Sequence, residues 1–382
     1  MIASTFTEVL EQWPVGRVAD LLNRQTESEV DAAVNGDITV PVERLAALLS
    51  PAAEHKLESL AQASAALTRQ RFGNTLQFYA PLYVSNYCCN SCRYCGFNRG
   101  ADVKRRALTI EEALQDAEYL AQVGFRHILL VSGEDPAHVP ISYFETLVRE
   151  LSGRFASISI EIYPLDENGY RRLVQAGVNG LTLYQESYDP KVYRAMHPAG
   201  PKRDYQRRLQ TIEAGAKAGM HSLGIGALLG LTDWRTEMFY VGLHGLFLWC
   251  RYWRQKVSVS FPRMRHATSG IAPECLVDDT ALVQMICALR LVLPDAGLVL
   301  STRESAELRD HLLPLGITRL SAASVTEPGG YSQGDDDEAA GQQFEVQDHR
   351  SLTEMTELVR AEGFDPVFKD WDAAYRPVAS NP

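Results

Sequence analysis

Nowhere in this 382-residue chain do about 18 apolar residues run together, so it offers no membrane-spanning helix. Clustered basic charge is equally scarce. The net charge is −11, and the densest basic run, "VKRR" at 103–106, suits a solvated loop. Both facts argue against a nucleic-acid partner, whose phosphates demand grouped Lys and Arg. The opening twenty residues carry Glu8, Glu11 and Arg17 and no long apolar stretch, so no secretory signal is expected and the expected location is cytoplasmic. Repeats of solenoid period and low-complexity tracts are missing too. What is there is a soluble, globular composition, 46% hydrophobic and 22% charged, with enough length to bury a large core. Seven cysteines is an odd number, and Cys88, Cys89, Cys92 and Cys95 sit too close together for a disulfide framework. In a reducing compartment such a cluster reads as metal-binding or catalytic.

The chain divides into three parts. Residues 1–75 form a helical extension, in which Leu45, Leu48, Leu49, Leu57, Leu60, Ala63 and Leu67 recur at helical spacing. Residues 76–328 alternate strand and helix. Short apolar or β-branched runs occur at "LQFYAPLYVS", "HILLVSGE", "SISIEIYP", "GLTLYQES", "SLGIGALLGL", "VSVSFPRMRH", "LVLSTRESA" and "ITRLSAAS". Helix-like segments separate them, and Thr109 with Glu112 makes a capping box at the first. Eight strands with intervening helices predict an α/β fold, a closed (β/α)8 TIM-type barrel. The alternative, a doubly wound sheet, is weakened by the lack of a G-x-G-x-x-G turn after an early strand. Residues 329–382 read as a polar, Gly-rich linker with a solvated acidic loop at Asp335–Glu338, then a final helix "SLTEMTELVRAEGF" and a tail.

The cysteines follow the first strand and so fall at the C-terminal mouth, where barrel enzymes put their chemistry. Soft thiolates favour zinc or iron–sulfur clusters. A ferredoxin run needs a fourth Cys followed by Pro, but the next Cys is Cys250. A structural zinc site also needs four ligands, and no second C-x-x-C or His pair is placed to complete it. A three-cysteine site on a four-iron cluster, with one iron open, is the remaining reading. C-x3-C-x-aromatic-C, with Tyr94 as the aromatic, resembles the radical S-adenosylmethionine (SAM) superfamily. That resemblance implies Cys88, Cys92 and Cys95 as ligands of a [4Fe-4S] cluster, S-adenosyl-L-methionine as cofactor, and Cys89 as a bystander. It also implies that Ser132, Gly133 and Glu134, a partial match to a Gly-Gly-Glu motif, bind the cofactor's methionine end. Glu161 and "YQE" (Tyr184, Gln185, Glu186) bring carboxylates and an amide to the same mouth, where a carboxylate suits a ribose diol or an ammonium. The bland alternative for each acid is a charge held by a helix N-terminus.

"RQRFGN", "YAPLYVSNYC", "CRYCGFN", "LYQESY", "VSFPRMRHATSG", "STRES", "PGGY" and "KDWD", spread over residues 69–372, resemble the 2-iminoacetate synthases, tyrosine lyases of thiamine thiazole biosynthesis. The resemblance implies radical cleavage of the Cα–Cβ bond of L-tyrosine to 2-iminoacetate and 4-cresol, with 5′-deoxyadenosine and methionine formed. It also implies a flavodoxin- or ferredoxin-type electron donor and a complex with thiazole synthase. The related tyrosine lyase of iron–iron hydrogenase maturation carries a second, C-terminal cysteine motif, whereas Cys287 is the last cysteine here. Tyrosine's carboxylate needs a clamp. Arg303 suits that role through its planar fork, with Ser321, Ser324 and Tyr83 adding hydroxyls. An ion pair with Glu304 is the structural alternative for Arg303. His127, His221 and His266 are assigned no role. The other class of function is a non-catalytic iron–sulfur electron carrier or scaffold.

Overall fold

The computed structural model describes residues 3–265, 267, 270–332 and 341–369. The acidic loop at Asp335–Glu338, His266 and Asp370–Asp372 of "KDWD" lie outside the described residues. Among the described residues there are nine strands: β1 (Thr75–Ser85), β2 (His127–Ser132), β3 (Ser157–Glu161), β4 (Gly180–Thr182), β5 (Ser222–Gly226), β6 (Lys256–Ser260), β7 (Gly297–Leu300), β8 (Arg319–Ser321) and β9 (Asp365–Val367). The first eight are parallel and close on themselves, because β1 pairs with both β8 and β2. This is the expected (β/α)8 barrel, with helices between its strands. The ninth strand comes from the C-terminal segment and pairs with Thr75–Gln77 at the start of β1.

Local chemistry explains where the helices begin and end. The Thr109–Glu112 capping box opens helix Ile110–Val123. Asp166, Asp204 and Asp278 cap the helices that follow β3, the turn after β4, and β6. On β1 the residues facing the helices, Leu76, Phe78, Ala80, Leu82 and Val84, are wholly buried. The space enclosed by the strands is different. Ser157, Ser159, Gly180, Thr182, Ser222 and Ser258 line it beside Ile128, Leu129, Leu181 and Val299, where such barrels ordinarily stack mainly branched aliphatic side chains.

The N-terminal helices add an outer layer on helices Trp234–Arg251 and Asp279–Val292. Gln284 donates to the carbonyls of Leu48 (3.0 Å) and Ser50 (2.9 Å), tying that layer down. Within helix Leu57–Phe72 the most buried line runs through Leu60, Ser64 and Thr68, whereas Leu57, Ala63 and Leu67 are half-buried. Leucine spacing found the helix but not its phase.

The segment read as a linker is a correction. Residues 341–350 lie across the barrel mouth, with Gln343 N–H on the Thr326 carbonyl (3.1 Å) and Gln347 N–H on the Thr302 carbonyl (2.9 Å). Asp348 is buried against Arg309 and also meets Arg350 at 2.7 Å. Its N–H groups bond strand-end carbonyls while Gln342, Glu345, Gln347 and His349 keep their side chains exposed.

Burial alone would raise the Asp348 carboxyl, but Arg350 and Arg309 outweigh it and hold the group below its usual range. Arg309→Leu should therefore cost roughly 3 kcal/mol, because Asp348 stays buried with Arg350 as its remaining partner. Urea unfolding should show that difference undiminished from neutral pH down to about 4, the unfolded carboxyl value. It should then shrink as Asp348 is protonated on further acidification. An unchanged midpoint at pH 7 would show that the pair does not anchor the segment.

Candidate active site

Strand β1 shifts register between Tyr83 and Ser85, and this irregularity turns the chain into the cysteine loop. Asn86 and Arg105 hold the loop's two ends together. Asn86 exchanges hydrogen bonds with Arg106 across its backbone and side chain (3.1 and 2.7 Å). The Arg105 guanidinium donates to the carbonyls of Asn86 (2.6 Å), Phe97 (2.9 Å) and Asn98 (2.5 Å). Gly133 packs so closely under the loop that a Cβ there would collide with the Tyr87 carbonyl and lie 3.2 Å from Cys88 Cβ. That contact gives the Gly of "SGE" a physical reason.

Cys92 is buried, and Cys88, Cys89 and Cys95 are half-buried. Burial pushes all four thiols up, Cys95 to about 11. A bound cation would reverse that preference, since a coordinating thiol is deprotonated outright. Cys89 is set apart by its contacts, with its backbone N–H (3.1 Å) and its Sγ (2.9 Å) both against the Glu134 carbonyl. Cys95 Sγ instead accepts the Phe97 N–H at 3.4 Å. Among the described residues no three ligating side chains converge as a single ion requires.

Four buried charges stand beside the thiols. Glu134 accepts from Arg208 (2.7 Å) and Asn90 (2.9 Å), and Glu186 accepts from Lys202 (2.6 Å) with Arg208 at 3.6 Å. Burial favours the neutral forms, but the opposite charges outweigh it. Glu186 is held below its ordinary range, and Lys202 and Arg208 above theirs. Tyr94 donates to His197 Nε2 (2.7 Å), because His197 Nδ1 faces the Tyr193 carbonyl at 2.7 Å and must carry the proton. Burial and Lys202 press His197 down to about 3, so it is neutral.

Two chambers meet under the lid. The outer one touches Tyr94, Cys95, Glu186, Lys202 and Arg265. The inner one reaches Tyr83, Ser321, Ser324 and Thr326. Glu161, Tyr184, Arg303, Gln343 and Phe344 form the wall common to both. Burial, then Glu186, raises the Glu161 carboxyl to about 7 against the opposing Arg303, Lys202 and Arg208. Arg303 stacks over the Phe344 ring at 3.3 Å. Its alternative partner, Glu304, is taken by Arg263 (3.0 Å) and Arg265 (2.5 Å), and among the described residues no carboxylate pairs with Arg303.

Several polar atoms here are buried with no partner among the described residues: Ser132 Oγ, Gln185 Nε2, Ser324 Oγ and Arg265 Nε. Orphans of this kind are costly unless a ligand meets them, and they fit a polar cofactor and substrate. The hydroxyls differ in availability. Ser321 Oγ accepts the Thr302 N–H (3.1 Å), and the Tyr83 hydroxyl donates to Gln343 Oε1 (2.7 Å). Ser324 keeps its donor. Glu186 and Ala323 have φ of 69° and 47°, the positive-φ non-glycine residues among those described, and both stand at strand ends of this mouth. Sequence reasoning missed Lys202, Arg208, Gln343 and Phe344. The basic run "KRDYQRR" was a usable signal for the first two, but nothing local marked Gln343 or Phe344.

Residues 82–240 match the radical SAM superfamily, and residues 260–365 match the biotin and thiamin synthesis associated domain. The chain is 41% identical over 97% of its length to 2-iminoacetate synthases of Salmonella typhimurium and Escherichia coli, covering 97% of each. The FeFe-hydrogenase maturase HydG of Carboxydothermus hydrogenoformans superposes with a TM-score of 0.87 at 32% identity, covering 96% of this chain and 86% of that one.

Alanine at Cys88, Cys92 or Cys95 should abolish the iron and sulfide taken up on anaerobic reconstitution, whereas Cys89→Ala should retain both. Gly133→Ala should behave like a ligand loss by displacing the Tyr87 carbonyl. Full cluster content in Cys88→Ala with loss in Cys89→Ala would reverse the ligand set.

Proposed function

The chain belongs to the 2-iminoacetate synthase family of the radical SAM superfamily, and from that premise we propose how its own residues serve cleavage of the Cα–Cβ bond of L-tyrosine to 2-iminoacetate and 4-cresol. The resident groups are a [4Fe-4S] cluster and S-adenosyl-L-methionine, which together supply a carbon radical at the adenosyl 5′ position. Cys88, Cys92 and Cys95 hold the cluster. Ser132, Gly133, Glu134, Gln185 and Glu186 serve the cofactor's amino-acid end, Glu186 from the lining of the outer chamber and the others from the strand ends beside it. The unpartnered Ser132 hydroxyl and Gln185 amide are donors for its carboxylate. Glu161 and Tyr184 stand at the common wall, where an ionised Glu161 accepts hydrogen bonds from the ribose diol.

Tyrosine takes the inner chamber. The observation that carries this reading is Arg303: half-buried, on the wall between the chambers, and pairing with no carboxylate of the described residues. Its fork binds the substrate carboxylate and so turns the amino group towards the outer chamber. Ser324 adds a hydroxyl donor, Ser321 fixes the wall through the Thr302 N–H, and Tyr83 with Gln343 closes one side. Phe344 covers the guanidinium and keeps water from it. The product imine hydrolyses readily, which supports a cytoplasmic complex with thiazole synthase as the consuming enzyme. A flavodoxin- or ferredoxin-type protein supplies the electron. No helix of the described residues is long and apolar enough to cross a membrane.

Anaerobic incubation with tyrosine, cofactor and reductant should yield 4-cresol, and absence of cresol would remove the tyrosine reading. Arg303→Lys keeps charge but loses the fork, so KM for tyrosine should rise at least tenfold while uncoupled cofactor cleavage persists. A normal KM would sink the clamp. Glu161 ionises as pH rises through about 7. Cofactor affinity should therefore strengthen over that range, and Glu161→Gln should flatten the dependence in equilibrium binding at several pH values.

A further inference from the structure

Beside the mouth lies a buried carboxylate that the chemistry above does not use. Glu237 is 2% exposed, and its carboxylate meets no cation among the described residues. Such a group is costly unless hydrogen bonds hold its charge. Here the donors come from one turn of chain. Glu237 Oε1 accepts the Ser187 hydroxyl at 2.6 Å, and Oε2 accepts the Tyr188 N–H at 2.9 Å. Ser187 Oγ in turn accepts the Asp189 N–H at 3.2 Å. Burial pushes the Glu237 carboxyl up to about 7 against these donors.

That turn is the one that follows Glu186. Strand β4 ends at Thr182, so Gln185 and Glu186 reach the mouth beyond the regular sheet. The Gln185 N–H bonds the Gly226 carbonyl (3.1 Å), and the Glu186 carbonyl accepts the Leu228 N–H (2.8 Å). Those bonds fix one edge of the segment. Glu186 itself has φ of 69°, which a residue other than glycine adopts at a cost. Glu237, on the helix Trp234–Arg251, fixes the next two residues and so the direction in which the strained one leaves the sheet. Tyr188 is tied from behind as well. Its hydroxyl lies 2.9 Å from His244 Nδ1 on the same helix, and its carbonyl accepts the Tyr205 hydroxyl at 2.8 Å. The His244 ring stacks on Phe6 with centroids 3.9 Å apart, so the N-terminal extension backs this corner. The bland account of Glu237 is an acid favoured by the start of its helix. Asp233 already caps that helix through the Thr236 N–H (2.9 Å), and both Glu237 oxygens go to the segment after β4.

The structure assigns Glu237 as a positioning residue for cofactor binding: by holding Ser187 and Tyr188 it aims the Glu186 carboxylate at Lys202 and the outer chamber. The assignment rests on the reading of Glu186 as a cofactor-binding residue. A carboxylate suits this corner because it only accepts, and the corner presents an O–H and an N–H together. Without it Glu186 relaxes from its left-handed conformation, and its carboxylate leaves Lys202.

Equilibrium binding of S-adenosyl-L-methionine to the reconstituted protein tests this in a double-mutant cycle. Glu237→Ala should weaken binding roughly tenfold, the size of one charge-assisted hydrogen bond. With Glu186→Gln already present, the same change should weaken it less than about twofold, because the group it aims is gone. Cluster content should stay at the wild-type level. So should KM for tyrosine at saturating cofactor, since neither residue lines the inner chamber. Ser187→Ala removes one donor and keeps the carboxylate, and it covers failure of Glu237→Ala to fold. It should show a smaller loss with the same dependence on Glu186. Equal losses in both backgrounds, or wild-type affinity in a folded single variant at position 237 or 187, would overturn the assignment. Wild-type affinity in Glu186→Gln alone would instead overturn the reading of Glu186, and the assignment with it.

Discussion

Burying charge beside thiols is the constraint on which this mouth depends. Glu134 and Glu186 come from the ends of β2 and β4, and neither carboxylate is tolerable in that position alone. Arg208, from the helix Tyr205–Lys217, reaches both, and Lys202 completes the second pair. Four charges thus cancel within one group while coming from four separate parts of the chain. Asn90 extends the group into the cysteine loop, since its amide donates to Glu134 and its carbonyl oxygen accepts the Lys202 N–H at 2.9 Å. The loop that carries the thiols is therefore positioned by electrostatics of the layer beneath it.

The same logic governs the lid. Residues 341–350 have little apolar content, yet they stay on the barrel because Arg309 and Arg350 hold Asp348 and because strand-end carbonyls accept their N–H groups. This lets a polar segment seal a site that must exclude water without presenting an oily surface. Gln343 and Phe344 then reach Tyr83 and Arg303, so closure and substrate orientation depend on the same segment. Strain sits where these parts meet, at Glu186 and Ala323. HydG shares the barrel.

Much of the fold was legible because its signals are short-range. Alternating runs marked all eight barrel strands, a four-residue box marked the helix start at Thr109, and three cysteines within eight positions marked the mouth. Serine and glycine in "SISIE", "GLT", "SLGIG" and "VSVS" also announced a polar lumen, a signal that strand counting passed over. Arg303 was legible as a cation at a strand end, but its freedom from Glu304 was not. That depended on Arg263 and Arg265 reaching the acid first.

By itself, then, the sequence determined the barrel, the thiol spacing and the family chemistry, because each rests on residues a few positions apart whose geometry the backbone dictates. The tertiary structure decided which hydroxyl stays available, which carboxylates are neutralised and what covers the mouth. Those outcomes depend on partners 74 residues apart for Arg208 and Glu134 and 260 apart for Tyr83 and Gln343. No local pattern encodes such meetings, because the energy that selects them, desolvation balanced by pairing, exists only once the chain has closed around them.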